Sequence, residues 1–321
     1  MVKALRAQKA GGVDVLAWDD VSVAAPAAHE VSIRHTAIGV NYIDTYHRSG
    51  TYPGTVFPAI LGVEGAGVVE AVGSAARTFK PGDRVCYPLA RGAYCESRTI
   101  AENLLVRIPE GVSDDEAAAG ITKGITVQHL FNRSHKVRPG DWVLFHAAAG
   151  GVGLFACQWA RHLGVRLIGT VSSEDKAKAA SNHGAAHTIV YTRENFVDRV
   201  KTITGGSGCI AVYDAVGKTT VKDSIKCVAT YGTLCTFGSA SGPSDMTIAD
   251  LPPSIGYTKG SIMTLIGRPE EYRAAAAEFF DLVAKKIIKI EVNHRYALRD
   301  GAQAHRDLEG RKTTGSIILK P

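Results

Sequence analysis

An α/β fold is predicted for this 321-residue chain, with a doubly wound parallel sheet inserted into a β-rich domain. Three observations predict it. The first is Trp142-Val143-Leu144-Phe145-His146-Ala147-Ala148-Ala149-Gly150-Gly151-Val152-Gly153, an apolar run that breaks into small residues. A helical pattern follows through Leu154, Phe155, Trp159 and Leu163 and stops at Gly164. The second is the apolar run Val165-Arg166-Leu167-Ile168-Gly169-Thr170-Val171 directly after it, which completes a strand–helix–strand unit. The third is the stretch before residue 121, where short strand-like runs alternate with Gly and Pro and no helical period intervenes.

In the N-terminal part, the strand candidates are Val21-Ser22-Val23, Glu30-Val31-Ser32-Ile33-Arg34 and Gly67-Val68-Val69-Glu70-Ala71-Val72. The Pro81-Gly82-Asp83 turn stands just before another. Together they suggest a small barrel. Asp115-Glu116-Ala117-Ala118-Ala119 opens a helix with acids in its first turn. After Gly140, strands are expected at 142–147, 165–171, 188–191, 210–214, 233–237 and 262–265, with helices in most intervals and a mobile loop over 241–259. A long helix from Glu270 to Lys285 precedes strands at 289–292 and 315–319, which return to the first domain. The expected division is 1–122 plus 268–321 for the β-rich domain and 123–267 for the nucleotide-binding domain.

Composition restricts the function. With 45% hydrophobic and 21% charged residues, the chain can build two full cores. No window of eighteen apolar residues is present, which argues against a membrane span. Met1-Val2-Lys3-Ala4-Leu5-Arg6 has no apolar signal core, so a cytoplasmic location is expected. The net charge of +6 comes from scattered Lys and Arg without a basic cluster, which speaks against nucleic acid and fits an anionic cofactor. The six cysteines show no C-x-x-C spacing and read as reduced, buried residues.

A strand, a small-residue turn and a helix N-terminus together bind a dinucleotide pyrophosphate, because free N–H groups and the positive helix end point at the phosphates. The fingerprint here carries Ala148 in place of its first glycine, followed by Gly150 and Gly153. At the end of the second strand, an NAD enzyme places an acid for the ribose hydroxyls. This chain has Ser172 and Ser173 there, with Lys176 one helical turn further and Tyr191 ending the next strand. Hydroxyls and an ammonium suit the 2′-phosphate of NADPH, which a carboxylate would repel. Glu174 and Asp175 lie where a helix N-terminus prefers acids. His146, ending a buried strand, reads as satisfying a backbone group rather than as a general base.

The segments Gly39-Val40-Asn41-Tyr42-Ile43-Asp44-Thr45-Tyr46-His47-Arg48-Ser49-Gly50-Thr51-Tyr52-Pro53 and 145–153, with Ile168-Gly169-Thr170-Val171, Val212-Tyr213-Asp214-Ala215-Val216-Gly217 and Phe237-Gly238, run through nearly the whole chain. In these segments the chain resembles the quinone oxidoreductase (zeta-crystallin-like) branch of the zinc-independent medium-chain dehydrogenase/reductases. The resemblance implies a GroES-like catalytic domain around a Rossmann domain, and a homodimer. Zinc members of that superfamily use two cysteines and a histidine where this chain has Asn41, Val63 and Thr122. None of the three is a good zinc ligand, so no metal is expected. Without a Lewis acid, alcohol dehydrogenation is disfavoured, whereas a quinone or conjugated enone delocalises incoming electrons itself.

By the same resemblance, Asn41, Tyr46 and Tyr52 line the acceptor cleft as catalytic residues. Asn41, Lys123, His129, Ala149, Gly150, Gly151, Val152, Val216, Phe237, Gly238, Ser239, Ala240, Leu265 and Arg311 contact the cofactor. The expected activity is therefore NADPH-dependent reduction of a quinone or related conjugated carbonyl. Two alternatives stand beside it. One is an alkenal/enone or enoyl-thioester reductase on the same fold. The other is a crystallin-like or RNA-binding protein that keeps NADPH affinity.

Overall fold

The computed structural model describes residues 1–52 and 54–321; Pro53, which ends the 39–53 motif, lies outside the described residues. The chain divides into two compact units. The first comprises Met1–Thr122, Ile266–Ala284 and Ile290–Pro321, and the second Lys123–Leu265 and Lys285–Lys289.

In chain order the elements begin with β1 (Val2–Ala7), β2 (Leu16–Val21), β3 (Glu30–Val40), α1 (Tyr42–Ser49), β4 (Ala59–Ile60), β5 (Glu64–Val72), β6 (Arg84–Tyr87), β7 (Ser97–Ala101), β8 (Val106–Arg107) and α2 (Asp114–His129). A π-helical turn over Leu130–Ser134 ends α2. Then β9 (Trp142–Phe145), α3 (Gly151–His162), β10 (Arg166–Val171), α4 (Glu174–Asn182), β11 (His187–Val190), α5 (Phe196–Ile203), β12 (Cys209–Asp214), α6 (Val221–Ile225) and β13 (Val228–Thr236) alternate. β14 (Gly256–Lys259), α7 (Met263–Ile266), α8 (Pro269–Ala284), β15 (Val292–Ala297), α9 (Gly301–Glu309) and β16 (Ser316–Lys320) complete the chain.

In the first unit, β3 is the spine of a sheet ordered β15-β16-β3-β5-β6-β8, with β7 also paired to β3, and a second sheet runs β2-β1-β4. β16 joins β3 antiparallel, pairing Ile317 with Val40 and Leu319 with Ile38. Leu5, Ile33, Ile38, Tyr87, Tyr94 and Leu319 are among the residues that close the core of this unit. Gly39 is demanded by packing: a Cβ there would lie 2.3 Å from the Ala118 carbonyl and 2.8 Å from Cδ of Glu64.

The second unit holds a six-stranded sheet ordered β11-β10-β9-β12-β13-β14, parallel throughout. This is the doubly wound order, in which the chain runs outward from β9 in one direction and then restarts beside it in the other. Leu144, Ile168, Ile189, Val212 and Leu234 pack its core against Val197, Val200 and Val221. No helix among the described residues is long and apolar enough to cross a membrane.

Four sequence expectations fail here. The strand expected at 262–265 is part of helix α7, and the sixth strand, β14, lies inside the expected mobile loop. A run as short as Ile262-Met263-Thr264-Leu265 is compatible with either structure, and the burial of Ile262, Leu265 and Ile266 around exposed Met263 follows the helical spacing. Tyr257 and Thr258, a ring and a β-branched residue, supply the strand instead, pairing with Leu234 and Cys235. The strand expected at 289–292 begins only at Val292, and that at 21–23 ends at Val21.

Two buried histidines of the first unit set a pH dependence of stability. His35 Nδ1 lies 2.7 Å from the Cys95 carbonyl and Nε2 2.8 Å from the Tyr87 hydroxyl. His305 Nδ1 accepts from Arg48 at 2.9 Å, and its Nε2 meets the Tyr94 hydroxyl at 2.9 Å. Burial lowers both from 6.5 to about 3. Between those values the unfolded chain binds protons that the folded chain does not, so the contribution is complete above pH 6.5 and is lost as pH falls towards 3. Each histidine is expected to cost about 1.4 kcal/mol of stability per pH unit within that window. Urea unfolding at pH 7 and pH 5 checks this. Equal midpoints would contradict the neutral, buried state of both rings.

Candidate active site

The turn after β9 is built by small residues for a steric reason. Ala147 takes a left-handed conformation with φ 54°, and its carbonyl accepts from Gly150 N–H at 2.8 Å. A Cβ on Gly153 would lie 2.4 Å from that carbonyl and 2.6 Å from Cα of Ala148, so only glycine lets helix α3 start this close to the strand. Gly150 caps α3, and Gly151 and Val152 open its first turn, where N–H groups have no intrahelical acceptor. Ala149 is buried beside them. The Ala148 departure from the glycine fingerprint is accommodated, since Ala148 adopts no positive φ and packs its methyl against Gly169, where a Cβ would meet it at 2.5 Å.

Because β9 to β13 are parallel, the residues that follow them emerge on one edge of the sheet. Ser172, Ser173 and Lys176 follow β10, Tyr191 follows β11, Val216 follows β12, and Phe237, Gly238, Ser239 and Ala240 follow β13. Ser173 caps α4 by accepting from the Lys176 N–H. The Lys176 ammonium has no ion-pair partner among the described residues. Glu174, the acid that could have opposed an anion here, is bound by Arg193 at 2.8 Å. Tyr191 is 45% exposed. A Cβ on Gly238 would lie 2.5 Å from the Ala215 carbonyl, which brings the β12 and β13 loops into main-chain contact.

Four other expected cofactor residues do not belong to the loops after β9 to β13. Lys123 and His129 are on α2, Lys123 buried and His129 with a buried Nδ1 that has no hydrogen-bond partner among the described residues. Burial and the Arg133 charge lower the His129 pKa and favour its neutral ring. Leu265 is 2% exposed within α7, which follows β14. Arg311 belongs to the first unit, exposed in a left-handed turn after α9 with φ 57°.

In the first unit, Asn41 is the N-cap of α1, and its backbone N–H donates to Asp44 Oδ2 at 2.8 Å. Its side-chain amide donates to Glu64 Oε2, and the other oxygen of that carboxylate accepts from Thr122 N–H at 3.3 Å. Glu64 is completely buried. One carboxylate thus draws together two of the three positions at which zinc ligands would stand, and the third, Val63, precedes it in sequence. The Tyr46 and Tyr52 rings pack with centroids 5.0 Å apart and planes tilted by 38°, flanked by Tyr42 at 5.4 Å from Tyr46 and His47 at 5.7 Å from Tyr52. Burial raises the Tyr52 pKa, so its hydroxyl keeps its proton through neutral pH.

Two buried polar groups lie outside the sequence expectations. Glu64 stands in Gly62-Val63-Glu64-Gly65, where flanking glycines signal close packing. His146 was expected to bond a backbone group; both ring nitrogens instead meet side-chain hydroxyls, Thr170 at 2.8 Å and Ser224 at 2.9 Å. Hydroxyls buried on a neighbouring strand and helix leave no spacing signal in the sequence.

Comparison with known proteins agrees with this fold. The family described as an alcohol dehydrogenase GroES-like domain matches residues 27–110, and that described as zinc-binding dehydrogenase matches 151–281. A quinone oxidoreductase of Pseudomonas aeruginosa is 48% identical, with all of both chains covered. A 2-haloacrylate reductase of a Burkholderia species is 41% identical over 100% of this chain and 99% of its own. The crystal structure of Escherichia coli quinone oxidoreductase complexed with NADPH superposes with a TM-score of 0.96 at 40% identity, covering 99% of this chain and 100% of the other. By full-length sequence and by fold, the chain belongs to the quinone oxidoreductase branch of the medium-chain dehydrogenase/reductase superfamily, a GroES-like domain with an inserted Rossmann domain.

Proposed function

We propose that the chain is an NADPH-dependent quinone reductase that works without a metal. The observation that carries the cofactor reading is the end of β10, where two serine hydroxyls stand with Lys176, which has no ion-pair partner among the described residues, while Glu174 is bound by Arg193 and Asp175 lies in the first turn of α4. The glycine cradles at Gly153 and Gly238, which any Cβ would fill, suit the close approach of a pyrophosphate. Gly150, Gly151 and Val152 would hold the phosphates, Ser172, Ser173, Lys176 and Tyr191 the adenosine ribose and its phosphate, and Val216 with 237–240 the nicotinamide half. When bound, NADPH supplies a hydride equivalent.

This chain's own residues then bind and orient the acceptor. The Glu64 carboxylate takes one Nδ2 hydrogen of Asn41 and leaves the second, so the amide is aimed and polarised as a donor to a carbonyl oxygen that gains charge. The Tyr46–Tyr52 pair offers a face for a flat acceptor, and the Tyr52 hydroxyl remains a proton donor. What supports a metal-free reaction is the donor set: an amide whose nitrogen is bound to a carboxylate, a valine and a threonine do not make a zinc site. A quinone requires no metal, because conjugation already spreads the transferred charge. The haloacrylate-reducing relative supports a second reading, reduction of an activated alkene conjugated to a carbonyl, by the same positioning.

A homodimer is supported by the exposure of Tyr231 (79%), Ile248 (83%) and Tyr257 (41%) around the edge strand β14. All six cysteines are buried and free, which supports a reducing, cytoplasmic setting.

The direct test is oxidation of NADPH at 340 nm with a quinone panel, an enone and an enoyl-CoA, after chelator treatment. Turnover of quinones unaffected by the chelator is expected; turnover of the alkene substrates alone would replace the main reading with the second. Lys176→Ala is expected to raise KM for NADPH about tenfold while leaving that for NADH within about twofold. Equal changes would show that Lys176 does not read the 2′-phosphate. Asn41→Ala should lower kcat/KM for the quinone by about tenfold or more, the loss of one charge-assisted donor; wild-type kinetics would remove Asn41 from the site.

A further inference from the structure

Beneath the glycine turn runs a chain of four buried side chains. Thr170 Oγ1 lies 2.8 Å from His146 Nδ1, His146 Nε2 lies 2.9 Å from Ser224 Oγ, and Ser224 Oγ lies 2.7 Å from Asp214 Oδ2. Thr170 and His146 are 2% exposed, and Ser224 and Asp214 are fully buried. The proton arrangement follows from the last member. An ionised carboxylate only accepts, so Ser224 donates to Asp214 and its oxygen accepts from Nε2–H of His146. A neutral imidazole protonated on Nε2 has an acceptor at Nδ1, which takes the Thr170 hydroxyl proton. Burial keeps the ring neutral, opposed by the Asp214 charge. Serine, histidine and aspartate are thus all present, but the serine gives its proton to the carboxylate and not to the histidine. The set is no nucleophile.

Its members stand at strand ends. His146 directly follows β9 and precedes the turn of Ala149, Gly150 and Gly151. Thr170 is in the last pair of β10, two residues before Ser172. Asp214 ends β12, and its Oδ1 accepts the N–H groups of Val216 and Gly217 at 2.8 and 2.9 Å. The Thr220 hydroxyl bonds the same carboxylate at 2.8 Å. Main-chain bonds carry the order onward, from Ala240 N–H to the Ala215 carbonyl at 3.2 Å and from Ser241 N–H to the Val216 carbonyl at 2.8 Å. Sheet hydrogen bonding spaces the strands but stops where they end. Apolar packing is non-directional and cannot fix the loops beyond. Directional hydrogen bonds can.

We propose that Thr170, His146, Ser224 and Asp214 form a positioning relay that sets the mutual spacing of the three loops that receive the dinucleotide. Affinity for NADPH then depends on side chains that lie beneath the cofactor site rather than in it. The inference rests on the cofactor reading above.

The test is NADPH affinity of the full-length protein, read from the change in NADPH fluorescence on titration, alongside the thermal midpoint. Thr170→Val keeps the side-chain shape and removes the hydroxyl at one end; Ser224→Ala cuts the relay at its middle. Each is expected to weaken NADPH binding roughly tenfold, and Thr170→Ser to stay within about twofold of wild type. The double variant Thr170→Val with Ser224→Ala should lose no more than about twofold beyond the weaker-binding single, since one relay can be broken only once. Wild-type affinity in both single variants, with only the thermal midpoint lowered, would overturn the proposal while leaving the cofactor reading intact. A Thr170→Ser variant as weak as Thr170→Val would overturn it too. A wild-type protein that does not bind NADPH would overturn the cofactor reading and the relay's role together.

Discussion

A parallel sheet sends every strand the same way, and each connection must cross back over a face before the next strand begins. In the second unit this puts the loops after β9, β10, β11, β12 and β13 on a single edge, with β9 and β12 adjacent where the winding reverses. Main-chain bonds within the ladder fix that arrangement before any side chain chooses a ligand. What the ladder leaves undetermined is the path of each loop once its strand has ended. Here the chain uses conformations and contacts that larger residues refuse: the left-handed Ala147, and Gly153 against the Ala147 carbonyl. A non-glycine residue at positive φ carries a cost that surrounding structure must offset. It is offset beside bonds from Gly150 to Ala147 and from Ala148 to Thr170.

Each unit also buries a carboxylate at the end or start of a strand and uses it to hold N–H groups. Burying such a group is expensive unless donors surround it. Asp214 collects two backbone N–H groups and two hydroxyls. Glu64 holds the Asn41 amide and the Thr122 N–H, with room made by the missing Cβ of Gly39. A second buried acid, Asp44, accepts from the Asn41 N–H and from the Tyr94 hydroxyl at 3.0 Å, and Tyr94 in turn meets His305 and, through it, Arg48. Asn41 is therefore held by its main chain and its side chain at once. Arginine does not release its proton in proteins, so the Arg48 end cannot feed a proton inward, and this chain serves geometry rather than proton transfer.

The periodic parts of the molecule were legible in the sequence. The β9–turn–α3–β10 unit announced itself through a long apolar run, small residues and a change of period, and the serines in place of an acid directly after β10 could be read off. Legibility failed where a segment was too short for a period to show. Ile262 to Leu265 and Tyr257-Thr258 are each a few residues long, and sheet pairing rather than local pattern decided which became strand. It failed again for the buried polar groups. Nothing in the spacing of His146, Thr170, Asp214 and Ser224 reveals that three strands and a helix bring them within hydrogen-bond distance, because those contacts exist only once the sheet order is fixed.

The two ligands proposed for this chain are met by different kinds of interaction, with different consequences for selectivity. In the proposed site, charge and directed hydrogen bonds at Ser172, Ser173 and Lys176 would distinguish a phosphate from a hydroxyl, since the wrong group would leave an unpaired ammonium. The Tyr46–Tyr52 rings and the single amide of Asn41 ask much less of an acceptor. A ring face accepts any flat conjugated surface, and one donor requires only an oxygen on which charge can collect. A site of the proposed kind would discriminate by electron demand more than by shape. That is consistent with relatives of nearly equal similarity being known for quinones in one case and for haloacrylates in another.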